Sequence, residues 1–474
     1  MKKIKLVSMI LALVMILTMF AGCGSNKSAD NGNGTDSGVN GGTASDNGNT
    51  QQNAKKIDAG AMVLTENGTV PDGVSFAIRD IITVFEGSGD ERKVQILNQS
   101  GVAFNDKWYS EVVSVITNGV CVVSNKDENG KEFLGIVDSI REKELVPCEA
   151  VEVRKLSDRF YLLGYETAAG TKDDCFGFYY DDGSVYYKGY GKIFDLENGQ
   201  FVPGVEVTTS YLDISAVGNV VVIDKDFSTS EAYTAEGELI GTYDYLVVYP
   251  ENGIALQESE EGIRVYDKDM KLVNTLVLAD GDDTYSALDE AEEKLVYSYL
   301  KDNKRYYCVT DLYGKALSAE FDTRINKMIS SDWLSVGVEV QIVDFEGNVV
   351  VPKDGYYIDG GYFRVNAEPK GYYLYDLSTG EKVYEGTLDF CGDLVFSDGE
   401  GGVLIYATGE MMNTGETIRP QTGSLVLIGT TIYDVVTGKA VLTDVDACVS
   451  TGDNIYTWNN EAGVYTRYTV EFKE

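Results

Sequence analysis

A chain of 474 residues with 43% apolar content is long enough for one large repeat fold or several domains, and it can fill a core. Its 39 basic and 76 acidic side chains argue against a nucleic-acid surface, which needs Lys and Arg gathered against phosphate, and against adhesion to an anionic membrane. The absence of histidine excludes Ser-His-Asp and Cys-His catalysis, HExxH sites and His-ligated metals.

Lys2, Lys3 and Lys5 precede an apolar run from Leu6 to Phe20, which is shorter than the roughly 20 residues of a membrane span. The run ends at Phe20-Ala21-Gly22-Cys23, which resembles the lipobox of bacterial lipoproteins, with Phe20 where that family usually has Leu. The resemblance implies that residues 1–22 are a signal peptide and that the thiol and amino group of Cys23 become acylated. A lipid anchor on the outer face of the cytoplasmic membrane follows, exposed to the cell surface or periplasm. The membrane is then touched through that anchor only.

Residues 23–56 are almost entirely Gly, Asn, Ser, Thr, Asp and Lys, too polar to repay the entropy of ordering. They read as a flexible tether with a root-mean-square reach of ~30 Å. From residue 57 to 474 the texture changes: apolar runs of four to eight residues alternate with Gly, Asp and Asn clusters, the pattern of strands and hairpins. Val, Ile, Tyr and Thr dominate the runs, as half-buried strands prefer. Ser286–Leu295 is the single helix candidate, with a turn between two strands as its other reading. Six cysteines beyond Cys23 (Cys121, Cys148, Cys175, Cys308, Cys391 and Cys448) lie far apart with no CxxC, mostly inside apolar runs. They read as buried free thiols rather than a disulfide framework or a zinc site.

One turn recurs: an apolar pair, Asp, a few residues to Gly, then a second apolar run, as in Val343-Asp344-Phe345-Glu346-Gly347 and Tyr433-Asp434-Val435-Val436-Thr437-Gly438. An Asp carboxylate accepts backbone N–H groups across the turn, and Gly supplies the positive φ that closes the hairpin. The markers are Asn98, Asp138, Asp181, Thr234, Asp267, Asp311, Asp344, Asp376 and Asp434, on average 42 residues apart. The long interval after Asp181 is assigned an extra hairpin at Phe194–Gly199, and the one after Asp376 a loop at Met411–Gln421. Four strands and their turns occupy about 40–45 residues in a propeller blade. The sequence thus predicts an all-β domain, a β-propeller of about 7–8 four-stranded blades, with an open curved array of β repeats as the alternative. Several copies, such as Gly119-Val120-Cys121-Val122-Val123 with Gly135-Ile136-Val137-Asp138, and Gly253-Ile254-Ala255-Leu256 with Gly262-Ile263-Arg264-Val265-Tyr266-Asp267, resemble diverged WG repeats. None of Trp108, Trp333 or Trp458 precedes a Gly, and that family implies no catalytic residues.

No phosphate-binding loop or dinucleotide fingerprint is present. Asp224 with Asp226, and Asp282 with Asp283, are the candidate ligands for a hard cation, although neither pair continues into the Gly and Glu of a calcium loop, and turn formation is the leading reading. The 32 tyrosines include doublets such as Tyr306-Tyr307 and Tyr372-Tyr373, whose rings must face opposite sides of a strand. The expected function is a non-catalytic binding or scaffold module of the cell envelope, with protein or glycan as partner, a monomeric head and no cofactor. The alternatives are a polysaccharide-acting enzyme using unidentified carboxylates and a ligand or cation sensor.

Overall fold

The Asp-to-Gly turns close hairpins, and the hairpins build small antiparallel meanders. A computed structural model of the chain describes residues 55–472, except 57–61, 167–174, 208–213, 352–354, 359–361, 367–370, 414–417 and gaps of one or two residues. Cys23, the leader and the tether up to residue 54 lie outside the described residues. Within them the chain is all-β, with eleven sheets of mostly four antiparallel strands arranged as a β-propeller. We number them blades 1 to 11 in chain order: residues 75–97, 111–150, 152–207, 214–244, 246–276, 284–311, 325–351, 355–386, 389–413, 418–443 and 448–472.

Eleven buried clusters lie between the blades, each drawn from two successive ones. Alternate residues of one strand therefore serve two cores. In Ile254–Ser259 of blade 5, Ile254 and Leu256 pack with Leu295 of blade 6, whereas Ala255 packs with Val220 and Val222 of blade 4. This double burial explains why the runs are nearly continuous in apolar residues rather than alternating. It also gives the tyrosine doublets their place. Tyr372 joins the core between blades 8 and 9, and Tyr373 the core between blades 7 and 8. Each buried Val, Leu or Phe contributes about 1.5–3 kcal/mol.

The ring closes, which excludes the open array. Strand Met62–Pro71 forms the outer edge of blade 11, pairing Leu64 with Val470 and Val70 with Tyr465 of Val464–Phe472. Blade 11 then faces blade 1 through a core of Val70, Ile82, Leu97 and Tyr456. The Thr451 hydroxyl donates to the Ala77 carbonyl and accepts the Asp80 N–H at 2.9 Å across the same seam.

Eleven blades correct the expected 7–8, and the reason is drift in the turn marker. In blade 3 the turn before the last strand uses Asp195, within Phe194–Gly199; the extra hairpin is instead Cys175–Tyr180 paired with the start of Gly183–Asp195. Asp181 lies outside the described residues. Blade 9 uses Thr408, whose N–H and hydroxyl both donate to the Ile405 carbonyl, and blade 11 uses Asn459. Met411–Gln421 is likewise corrected from a loop, since it contains Met411–Asn413 of blade 9 and Ile418–Pro420 of blade 10. Ser286–Leu295 is a turn between two strands, Thr284–Ala287 and Lys294–Lys301. Lys55–Lys56, read as tether, pairs with Thr443 and Leu442.

Because every blade is a meander, its turns fall on two rims. The first-to-second and third-to-fourth turns share one, here termed the Asp rim. The second-to-third turns and the crossings between blades share the other, the crossover rim. On the Asp rim the expected chemistry recurs. Asp267 Oδ1 accepts the N–H groups of Asp269 and Lys271, each at 2.9 Å, and Asp311 those of Tyr313 and Lys315, also at 2.9 Å. Asn98 does the same at 3.0 Å, and the Thr234 hydroxyl at 3.2 and 3.3 Å. Side chains there also bolt one blade to the next: Arg79 to the Ile116 carbonyl, Arg141 to that of Leu196, and Asn252 Nδ2 to those of Leu288 and Ala291. Gly119, at φ 73°, lies so close to Ile140 that a side chain would collide.

Candidate binding cleft on the crossover rim

The crossover rim lacks this regularity. Blade 3 projects its extra hairpin there, and blades 4 and 5 part to form a cleft of about 430 Å³. Thr229, Thr242, Tyr243 and Asp244 of blade 4 and Gln257, Arg264 and Tyr266 of blade 5 line it. Small residues lie in the core beside this space. Ala232 and Gly241 pair across blade 4, and Ala255 pairs with Tyr266 in blade 5.

The floor of the cleft is a fixed chain of hydrogen bonds. Tyr266 donates its hydroxyl to Gln257 Oε1 at 2.8 Å, and Gln257 Nε2 donates to the Asp244 carbonyl at 3.0 Å. Gln257 and Tyr266 are 3% and 6% exposed, so their polar atoms are satisfied inside the protein rather than by solvent. The Tyr243 ring meets Tyr266 edge-on at 5.2 Å. Burial raises the hydroxyl pKa of both tyrosines, with the Arg264 guanidinium opposing the rise at Tyr266. The half-buried Arg264 stands opposite Gln257 in the strand register, 3.9 Å from Glu261 at the nearest approach. Thr242 and Asp244 are exposed and alternate with Tyr243 along their strand, so their side chains stand on the face of blade 4 away from blade 5.

A row of tyrosines occupies the next interface. Tyr285 and Tyr297 stack at 4.6 Å, Tyr297 and Tyr299 at 5.1 Å, and Tyr299 and Tyr306 at 6.0 Å, along the face of blade 6 toward blade 5. Lys301 and Lys304 lie over the Tyr306 ring, 5.8 and 5.7 Å from its centre. All four rings are half-buried.

Of the residues singled out as cation ligands, Asp224 and Asp283 are engaged within the fold. Asp224 accepts the Ser230 hydroxyl at 2.5 Å, and Ser230 in turn accepts the Leu246 N–H at 3.1 Å. Asp283 is buried and accepts the Tyr297 hydroxyl at 2.7 Å; the Asp282 carbonyl accepts from Arg305. The side chain of Asp226 lies outside the described residues. No group of three or more Cys, Asp or Glu suited to a metal occurs among the described residues. Cys121, Cys148, Cys308, Cys391 and Cys448 are free, and burial pushes the Cys121 and Cys448 thiols up to about 12. Burial also pushes the Glu152 carboxyl up to about 8 against the pull of Arg154, but both belong to the first strand of blade 3, outside the cleft.

The cleft escaped the sequence reading because its walls come from two blades. One signal was present. Gln257, the fourth residue after Gly253, stands where the equivalent run after Gly119 has Val123.

No protein-family model and no curated protein matches the chain. Among solved structures it is similar to a eukaryotic initiation factor, at 12% identity and TM-score 0.36, covering 75% of this chain and 94% of that one. It is also similar to the C-terminal WD40 domain of Sif2, at 11% identity and TM-score 0.28, covering 66% and 84%. The computationally designed Ika8 protein gives 13% identity and TM-score 0.24, covering 80% and 98%. At such scores these likenesses carry no argument, and the propeller rests on its own sheets and cores.

Proposed function

We propose that this protein is a non-catalytic binding module of the bacterial cell envelope, held by a lipid on Cys23, with protein or glycan as its partner. One observation supports the reading best: the crossover rim carries a cleft between blades 4 and 5 whose floor is a fixed hydrogen-bond chain from Tyr266 through Gln257 to the Asp244 carbonyl. Among the described residues that line it Asp244 is the one acidic residue, whereas glycoside hydrolysis needs two acids flanking one bond. No nucleophile there is paired with a base. The anchor and tether account for how such a head stands off a membrane.

Two measurements test this. Incubating the chain with envelope glycans and proteins should give saturable binding with no product; release of cleaved sugar would end the non-catalytic reading. Cys23→Ala should leave the protein unlipidated and released from the membrane fraction. Retention of that variant in the membrane fraction would overturn the anchor.

A further inference from the structure

We propose that the seam between blades 8 and 9 holds a second binding site, apart from the cleft, in which Arg364 receives the carboxylate of a small monoanionic ligand. The site starts from a guanidinium that the fold does not use. Arg79, Arg141, Arg159 and Arg467 each donate to a carbonyl or a carboxylate. Arg364 makes no hydrogen bond or ion pair among the described residues, and its Nε is buried without a partner. Its terminal nitrogens, equally unbonded, reach solvent. A half-buried guanidinium in that state has given up part of its hydration without gaining a counter-charge, so an incoming anion recovers a cost already incurred. Arg154 shares the buried, unpaired Nε, but Glu152 stands two residues away on the same face of its strand.

The strand register sets what surrounds Arg364. Tyr356 lies opposite it on one side and Leu374 on the other, so all three face blade 9, whose Phe390 and Phe396 complete the core there. The guanidinium carbon is 3.9 Å from the centre of the Tyr372 ring and 5.9 Å from that of Tyr356. Tyr372 is buried and anchored: its hydroxyl donates to the Leu388 carbonyl at 2.6 Å, while Tyr384 accepts the Leu388 N–H at 3.0 Å. Stacking on a fixed ring orients the guanidinium before a ligand arrives, which reduces the entropy lost on pairing. Tyr356 is 47% exposed and offers ring surface to the body of the ligand. Two features select a carboxylate. A planar guanidinium fork pairs with a planar carboxylate through two N–H bonds. One positive charge also matches one negative charge, and Asp389 stands near enough to Tyr372 to raise its hydroxyl pKa, which disfavours a doubly charged phosphate.

The test is calorimetric titration of the full chain with glucuronate and benzoate, which share a carboxylate and differ in the body that carries it. Methyl glucoside and benzamide are their neutral counterparts, and inorganic phosphate is the competing anion. The expected result is saturable binding of at least one carboxylate and none of its neutral counterpart; which acid binds tells whether the body is a sugar or an aromatic ring. Arg364→Gln should weaken binding by about tenfold or more, because it removes a charge-assisted pair. Arg364→Lys keeps a cation over Tyr372 and should melt close to the parent, yet lose binding because the fork is gone. Tyr356→Ala should weaken binding by about threefold. Arg92→Gln, at an exposed arginine over the Phe85 ring of blade 1, should bind as the parent does. No binding of either carboxylate, equal binding of the neutral counterparts, binding that survives both Arg364 substitutions, or tighter binding of phosphate would each overturn the inference. Any of these leaves the binding-module reading standing, whereas release of cleaved sugar from envelope glycans removes that reading and leaves this site.

Discussion

On the Asp rim, Asp138, Asp267 and Asp311 each give one carboxylate oxygen to two backbone N–H groups of their own turn. On the crossover rim, Asp244 is held through its backbone carbonyl, which accepts Gln257 Nε2 of blade 5, and its exposed carboxylate closes no such turn. The residue type is the same and the duty differs. Where the turn recurs, the aspartates close hairpins; Asp244 lies outside such a turn, at the seam between blades 4 and 5. Repetition marks architecture, and departure from it marks the place to look for recognition.

This contrast can be broken by substituting one residue on each rim. The largest difference is expected between Asp195→Ala and Asp244→Ala. Asp195 is 1% exposed and holds the Arg159 guanidinium through two bonds of 2.7 and 3.0 Å. Its loss leaves a partly buried cation with only Asn219 and Glu197 and should cost about 2–3 kcal/mol in denaturant unfolding. Asp244→Ala should cost no more than about 0.5 kcal/mol.

Asn252→Ala is the next test. Asn252 Nδ2 serves the Leu288 and Ala291 carbonyls at 2.6 and 2.8 Å, across the seam between blades 5 and 6. Losing both bonds, with the Leu288 carbonyl keeping the Ala291 N–H, should cost about 1–3 kcal/mol, again by denaturant unfolding. Thr242→Ala on the crossover rim should leave stability unchanged.

The smallest effects are in pH dependence, and they have opposite signs. Burial raises the Asp195 carboxyl, but Arg159 and Asn198 outweigh it and hold the group below the usual carboxylate range. Its contribution is complete above the unfolded pKa of about 4 and is lost as pH falls through the lower folded value. Glu152 runs the other way. Burial holds it at about 8 in the folded protein. The folded state then retains a proton that the unfolded chain has released, so stability falls from about pH 4.5 upward, and the loss is complete above about 8. Thermal melts of Glu152→Gln should therefore gain on the parent as pH rises from 5 to 8, and those of Asp195→Asn should lose least below pH 3.

The same contrast explains what the sequence disclosed. Strand texture, the Asp-to-Gly turn and a unit of several strands were legible because each is set by local chemistry. The carboxylate geometry at Asp267 and Asp311 is what their spacing to Gly314 and their neighbours implied. Blade number was harder to read because one marker was misplaced and two drifted: Asp195 was taken for an insertion, and Thr408 and Asn459 lack the carboxylate that identifies the turn. Ten steps from Asn98 to Asn459 give about 36 residues per blade rather than 42. The closing strand Met62–Pro71 reveals itself only by pairing with Val464–Phe472, some 400 residues away, a contact without local signature. The cleft was hidden for a related reason. Thr242 and Arg264 are ordinary strand residues until two blades stand side by side, and only the polar Gln257 in an apolar run hinted at them.

The division of labour between the rims is tested most directly by comparing the thermal melts of Asp195→Asn and Asp244→Asn with that of the parent. The expected result is a lower melting temperature for Asp195→Asn and an unchanged one for Asp244→Asn. An Asp244→Asn protein that melts as low as Asp195→Asn would contradict it.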